Sequence, residues 1–580
     1  MKELKRLKTY LSRYKIPLIV GCMFVVITNG FALLGPWVLK FAVDELQQQI
    51  SSQALVKYAA LLVGVALVEG LFLFLSRRTI IGVSRKIEYD LRNDFFAHLQ
   101  RQSQAFFHRF KTGDLMARAT NDLEAVRRIV GPAVMYSTNT VVSMIAFIGI
   151  MLYMNYKLTL VALIPFPLMA VIVNRLAKRL HYVYKGIQTQ YASITSKVQE
   201  NLSGIRVVKA YVQEQPEIHR FKDLNGEYIN RNLNMAKVRG GMSAAMTFLV
   251  GAGTLIVLWY GGKLVIRNEI SLGELVAFFA YLGRLTWPMI ALGWVLNIIQ
   301  QGLAAMGRIN RILEIVPDIR DDERTRTDIE TIEGEIEFRN VSFSYNGTPV
   351  LKNINLRIEK GMTLAIIGRT GSGKSTLINL IPRLLDATEG KVLIDGIKIN
   401  EIPLQTLRSR IGYVPQDTFL FSETIKANIA FGVEAQSMQE IEEAAVISQV
   451  KNDIDDFPKR FGTMLGERGI NISGGQKQRT AIARAVIRKP KILILDDSLS
   501  AVDTYTEEAI LARLREIMRA RTSIIVSHRI STVKDADRIV VLDDGKVTEM
   551  GTHDELLSID GLYADIHRKQ LLEEALESYS

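Results

Sequence analysis

The 580-residue chain has a single cysteine, Cys22, and it lies inside an apolar run. An intramolecular disulfide is therefore excluded, and the thiol reads as a small buried apolar side chain. The N-terminus is not expected to act as a cleaved signal peptide, because the apolar run from about 16 to 39 is too long for one and has no small-residue cleavage site. That run reads as a membrane span. No protease-like domain is expected ahead of it, which weakens a peptide-processing role. There is also no single basic face. The formal charge is +12, but Lys and Arg concentrate beside apolar segments, which argues against a nucleic-acid partner.

What is present falls into two compositions. Leu, Ile, Val, Phe and Met crowd the segment before Gln300, whereas the remainder alternates short apolar runs with charged ones, as a soluble α/β domain does. The stretch VPDIRDDERTRTDIETIE is polar and charged, as a linker is. The expected division is a transmembrane domain over 1–314, a linker over 315–332 and, because it contains the glycine-rich GRTGSGKS, an α/β P-loop nucleotide-binding domain over 333–580. Runs able to cross a hydrocarbon core of ~30 Å lie near 16–39, 55–75, 133–154, 157–176, 242–262 and 274–299. Six crossings predict an all-α membrane domain. Basic residues fill the opening segment and the long stretches 77–130 and 175–240, which places these and the C-terminal domain in the cytoplasm. Helical periodicity continues past the spans into both long stretches, with TGDLMARATNDLEAVRR and KAYVQEQPEIHRF at the expected tips of these cytoplasmic extensions.

The segment GRTGSGKS, residues 368–375, follows the apolar run TLAIIG and precedes STLINLIPRLL, so it sits between a predicted strand and a predicted helix. Gly368, Gly371 and Gly373 let backbone N–H groups converge on phosphate, and Arg369, Thr370, Ser372 and Thr376 complete the loop. Lys374 supplies charge to the outer phosphates, and Ser375 supplies a hydroxyl to Mg²⁺. KILILDD reads as a buried parallel strand that presents Asp496 to Mg²⁺ and Asp497 beside the attacking water. TSIIVSH brings His528 to the same edge. In NISGGQKQRTAIARAVIRK, Ser473 is a natural N-cap. Gly474, Gly475 and Gln476 follow it, with Ala481, Ile482, Ala485 and Val486 facing inward. This is a second anion-binding helix start. One nucleotide needs one cradle per chain, so the spare one implies a partner whose ATP it closes over.

Together these motifs resemble an ABC transporter of the exporter type with fused membrane and nucleotide-binding domains, and the likeness spans essentially the whole chain. The resemblance implies an ATPase coupled to outward transport, with ATP and Mg²⁺ as cofactors and a second half-transporter as partner. It further implies that Tyr345 in FSYNG stacks on adenine, that Gln416 in YVPQD senses Mg²⁺ and the membrane domain, that Gly466, Glu467 and Arg468 contact coupling helices, and that Ser500 to Asp503 communicate across a dimer. Three positions depart from the family pattern. Ile472 replaces leucine before SGGQ, a volume-conserving swap, and Ser498 and Leu499 replace alanine and threonine. Asp497 stands where glutamate is usual, which draws the carboxylate back by about one bond length, and displacements of ~1 Å can cost about 10²-fold in rate. That pattern resembles the degenerate-site half of heterodimeric multidrug exporters, so a heterodimer is favoured over a homodimer with two slow sites.

Within the spans, Arg284 lies midway along the sixth, with Glu69 of the second as a candidate ion partner and Trp287 and Pro288 within a turn. The expected cargo is an amphipathic drug- or lipid-like molecule in contact with membrane lipid. A homodimeric lipid flippase and an ATP-gated channel or regulator are the alternatives.

Overall fold

The computed structural model describes residues 2–47, 51–434, 436–466, 469, 471–502 and 504–578. Two compact units emerge, one formed by 1–100 and 112–315, the other by 101–111 and 316–580.

The first unit is helical throughout. Among the described residues, five helices are long and apolar enough to cross a membrane: Lys15–Leu46, Ser52–Gln100, Thr112–Met154, Glu214–Ile266 and Leu272–Leu313. The expected fourth span at 157–176 is instead carried by two successive helices, Tyr156–Leu163 and Pro165–Ser203. Pro165 has no N–H to continue the first and its fixed φ suits the start of the second, so the break falls there. The arrangement is that of a six-helix membrane domain. Five helices run far beyond hydrocarbon thickness, at 49 residues for Ser52–Gln100, 43 for the stretch Thr112–Met154, 39 for Pro165–Ser203, 53 for Glu214–Ile266 and 42 for Leu272–Leu313. At 1.5 Å per residue the longest reaches about 80 Å.

The predicted tips divide. KAYVQEQPEIHRF does hold a reversal, between Ile205–Ala210 and Glu214–Ile266, with Val212 at φ +54°. TGDLMARATNDLEAVRR does not. It belongs to the continuous helical stretch Thr112–Met154, and the preceding chain turns through the short helix Gln104–Arg109. Two five-residue π-helical turns, Arg118–Asp122 and Ile129–Ala133, absorb the polar segment and Pro132 without ending the helix.

Polar ties register the spans. Glu69 and Arg284 form a two-point pair at 3.0 and 3.3 Å, and the helix Leu272–Leu313 continues through Pro288. Cys22 is only partly buried, contrary to expectation, with its Sγ 3.7 Å from Thr138 Oγ1. At the start of the sixth span, Ser271 and Glu274 form a capping box, and Asp44 of the first span accepts from Ser271 Oγ at 2.8 Å and Gly273 N at 2.7 Å. Lys40 donates to Glu274 at 2.8 Å.

The second unit contains two sheets. The antiparallel one comprises β1 (Ile336–Tyr345), β2 (Thr348–Ile358), β4 (Glu389–Ile394) and β5 (Ile397–Lys398), in the order β2-β1-β4-β5. The other comprises β3 (Thr363–Ile367), β6 (Ile411–Val414), β7 (Ile492–Asp496), β8 (Thr522–Val526), β9 (Arg538–Asp543) and β10 (Lys546–Gly551), in the order β10-β9-β3-β8-β7-β6. All neighbours are parallel except β9 and β10. The strands β7 and β8 are buried along their whole length, which is why each reads as an unbroken apolar run rather than an alternation. The helix after the phosphate loop is shorter than expected, Lys374–Asn379, because Pro382 follows and Arg383 turns at φ +51°.

The Asp44 tie makes a prediction: Asp44→Ala removes two acceptors from the start of the sixth span and lowers stability by about 1–2 kcal/mol. A thermal-unfolding midpoint unchanged in nanodiscs would contradict it.

Candidate functional site

Strand register decides which residues meet. Ile366 of β3 pairs with Val526 of β8, Asp496 of β7 pairs with the same Val526, and Val414 of β6 pairs with Leu495. The carboxyl ends of four strands are therefore level, at about 4.8 Å per step across the sheet. Open α/β sheets bind ligands at that edge. The segments leaving the four ends carry Gly368 to Ser375, Gln416, Asp496 with Asp497, and His528.

The phosphate loop has a backbone that side chains would prevent. Gly368 lies at φ +153°, and a Cβ there would come within 2.0 Å of the Leu542 carbonyl oxygen. Gly373 caps the helix Lys374–Asn379 at φ +100°, with Leu351 closing the space. Lys374 Nζ donates to the Gly368 and Arg369 carbonyls at 2.8 Å each. Burial lowers the Lys374 pKa, opposed by the charges of Asp496 and Asp497. Ser372 Oγ is buried with no hydrogen-bond partner, which suits a loop built to receive acceptor oxygens.

Asp496 is buried, and burial raises its pKa, partly countered by a hydrogen bond with Ser375. A buried carboxylate bonded to a hydroxyl at the foot of a phosphate loop fits Mg²⁺, which takes one or two protein oxygens and otherwise phosphate and water. Asp497 adopts a left-handed backbone at φ +47°, a region Asp tolerates better than most side chains, and its N–H donates to Val526 O at 2.8 Å. Its carboxylate is taken up on both sides. One oxygen lies 2.9 Å from His528 Nδ1, and Gln416 Nε2 donates to the other at 3.4 Å. Asp497, His528 and Gln416 are thus brought together.

The second cradle forms as its sequence suggests. Ser473 caps the helix Gly474–Val486 in a capping box with Gln476, and Ala481, Ile482, Ala485 and Val486 are buried. Gln476 Nε2 also donates to Asp453 at 2.9 Å. Tyr345 is exposed at the end of β1, edge-on to Phe343. Gly466 N–H donates to Asn471 at 2.9 Å, whereas Glu467, Arg468 and Asp503 lie outside the described residues.

Sequence reasoning missed several members. Gln478, buried on the signature helix, donates to Ser500 Oγ at 3.1 Å and accepts from Ala501 N at 2.9 Å, fixing the loop after Asp497. Arg484 on the same helix donates to the Phe419 and Asn428 carbonyls at 2.8 Å, tying it to the segment that follows Gln416. Burial pushes the Arg484 pKa down to about 10, so it stays charged at neutral pH. Polar residues at helical positions carry no signal of such partners in the sequence.

Residues 18–289 match the family described as ABC transporter transmembrane region, and residues 351–500 match the one described as ABC transporter. A probable multidrug resistance ABC transporter ATP-binding/permease protein of Bacillus subtilis, YheI, is 36% identical over 98% of both chains. An ATP-dependent lipid A-core flippase of Syntrophus aciditrophicus is 35% identical over 98% of this chain and 94% of its own. A solved bacterial Atm1-family ABC exporter with ATP bound superposes with a TM-score of 0.79 at 28% identity, covering 97% of this chain and 98% of that one. With membrane helices, phosphate loop and signature helix in one polypeptide, the chain belongs to the ABC transporter family.

Proposed function

We propose that this chain is one half of an ATP-driven exporter that moves an amphipathic drug- or lipid-like molecule across the cytoplasmic membrane, with its N-terminus and nucleotide-binding domain in the cytoplasm. Support comes from its relatives, one a probable multidrug resistance transporter and one a lipid A-core flippase. The domain limits that suit this reading are 1–314, 315–332 and 333–580.

The roles assigned to single residues rest on the family resemblance, with the geometry of the sheet edge in their support. Backbone N–H groups of the phosphate loop and Lys374 bind the β- and γ-phosphates, and Tyr345 offers its ring to the adenine. Ser375, Asp496 and Gln416 are the residues that would hold Mg²⁺, which neutralises phosphate charge when bound. His528 is placed to reach the γ-phosphate with the nitrogen that Asp497 does not engage. Ser473 to Gln476 close over the nucleotide of a second half-transporter.

The observation that carries the finer reading is the Asp497 carboxylate, held by His528 at 2.9 Å and facing Gln416 at 3.4 Å. A side chain one methylene shorter than glutamate, with both oxygens engaged, is poorly placed to orient water, so this chain's own site turns over slowly. A slow site beside an intact second cradle suits a heterodimer whose partner keeps the glutamate. A homodimer with two slow sites is the second reading.

Two predictions follow from these roles. Asp497→Glu raises ATP turnover of the purified assembly by about tenfold or more, and phosphate release at an unchanged rate would contradict the slow-site reading. Arg284→Ala leaves Glu69 without its partner in a span, which costs about 3–5 kcal/mol for a buried pair and less in a wet cavity. Transport of amphipathic cargo by this variant should fall while ATP binding holds, and unaltered transport of every substrate would remove Arg284 from the pathway.

A further inference from the structure

The segment bearing His528 is held from two sides by residues far from the phosphate loop. On one side the buried Glu507 of the helix Thr504–Met518 accepts from Arg529 at 2.6 Å and from Thr532 Oγ1 at 2.5 Å. On the other side lies the C-terminal helix, Leu562–Ser578. Its Gln570 side chain accepts from Ile530 N–H at 2.8 Å and donates to the His528 carbonyl, bracketing Arg529 with both ends of one amide. The short helix Ile530–Val533 and the C-terminal helix also share a core, since Ile530 and Val533 pack in one apolar cluster with Tyr563, Leu562 and Ile566. Glu549 in turn accepts from Leu562 N and Tyr563 N at 2.5 and 3.1 Å, fixing where the C-terminal helix begins.

We infer that Gln570 is a positioning residue for His528 and that docking of the C-terminal helix sets the reach of that imidazole. The inference rests on the reading of His528 as the group that meets the γ-phosphate. The physical reason is leverage. His528 is exposed, and among the described residues the bond to Asp497 is what restrains the ring directly, so its backbone must be fixed elsewhere. Rotating the 528–530 backbone by a few tens of degrees moves the ring by an ångström or more, enough to cost about 10²-fold in rate. Nucleotide affinity does not pass through Gln570, because the phosphate loop and Tyr345 stand on other strands.

The test uses the full-length transporter in lipid nanodiscs, with ATP hydrolysis followed as phosphate release. Gln570→Ala should lower kcat about tenfold, in the direction of His528→Ala, with KM for ATP within about twofold of wild type. Gln570→Glu keeps the acceptor for Ile530 N–H but at neutral pH has no proton for the His528 carbonyl. A glutamate with an ordinary pKa stays ionised at assay pH, so this variant should lower kcat about as far as Gln570→Ala, again with KM for ATP within about twofold of wild type. Should the alanine variant fail to fold, the glutamate variant decides, and a wild-type kcat there overturns the inference. If His528→Ala slows turnover and neither Gln570 variant does, the clamp is wrong and the reading of His528 stands. If His528→Ala itself changes nothing, the reading of the site falls and the clamp falls with it.

Discussion

The level carboxyl ends of β3, β6, β7 and β8 are the constraint on which the site depends. Parallel pairing fixes register through the backbone, so a loop leaving one strand meets its neighbours at a spacing no side chain needs to enforce. Burial of β7 and β8 on both faces then locks that register, because a one-residue slip would push apolar side chains out of two cores at once. The chemistry at the edge is the consequence. A phosphate loop, a buried carboxylate, an imidazole and an amide arrive together from segments spread between residues 368 and 528.

Within that edge, Asp497 ties its neighbours together. Its carboxylate lies between His528 and Gln416, so the histidine, the glutamine and the aspartate form one hydrogen-bonded group. Its left-handed backbone and the Gln478 bonds to Ser500 and Ala501 hold the following loop in the same frame. The signature helix is in turn bound to the segment after Gln416 by Arg484. Site, loop and second cradle are thus parts of one rigid lattice of hydrogen bonds, and the 2.9 Å contact at Asp497 is where that lattice departs from the family's usual residue.

Much of this was legible in the sequence, for physical reasons that particular segments show. TLAIIG, KILILDD and TSIIVSH read as strands because fully buried parallel strands are continuous apolar runs, and Ser473 read as a cap because its hydroxyl has a helix start to satisfy. Other features depended on partners distant in the chain. The π-helical turns at Arg118–Asp122 and Ile129–Ala133 keep a polar, proline-bearing stretch helical, so 112–128 looked like a tip and is not. The break at Pro165 has a signal, a proline within the apolar run, but the unbroken hydropathy on both sides of it has the form of one span. Glu507 and Gln570 carried none, since a glutamate and a glutamine on helices are ordinary surface residues until the fold places them against the His528 segment.

In the proposed exporter, the two phosphate cradles of this chain serve two different nucleotides. A structure of the assembled transporter determined with MgATP is the sharpest test. The nucleotide on Lys374 should be closed over by a capped helix start from another polypeptide, while Ser473 of this chain contacts the nucleotide held by that partner. A nucleotide enclosed by Lys374 and Ser473 of one and the same chain would contradict it.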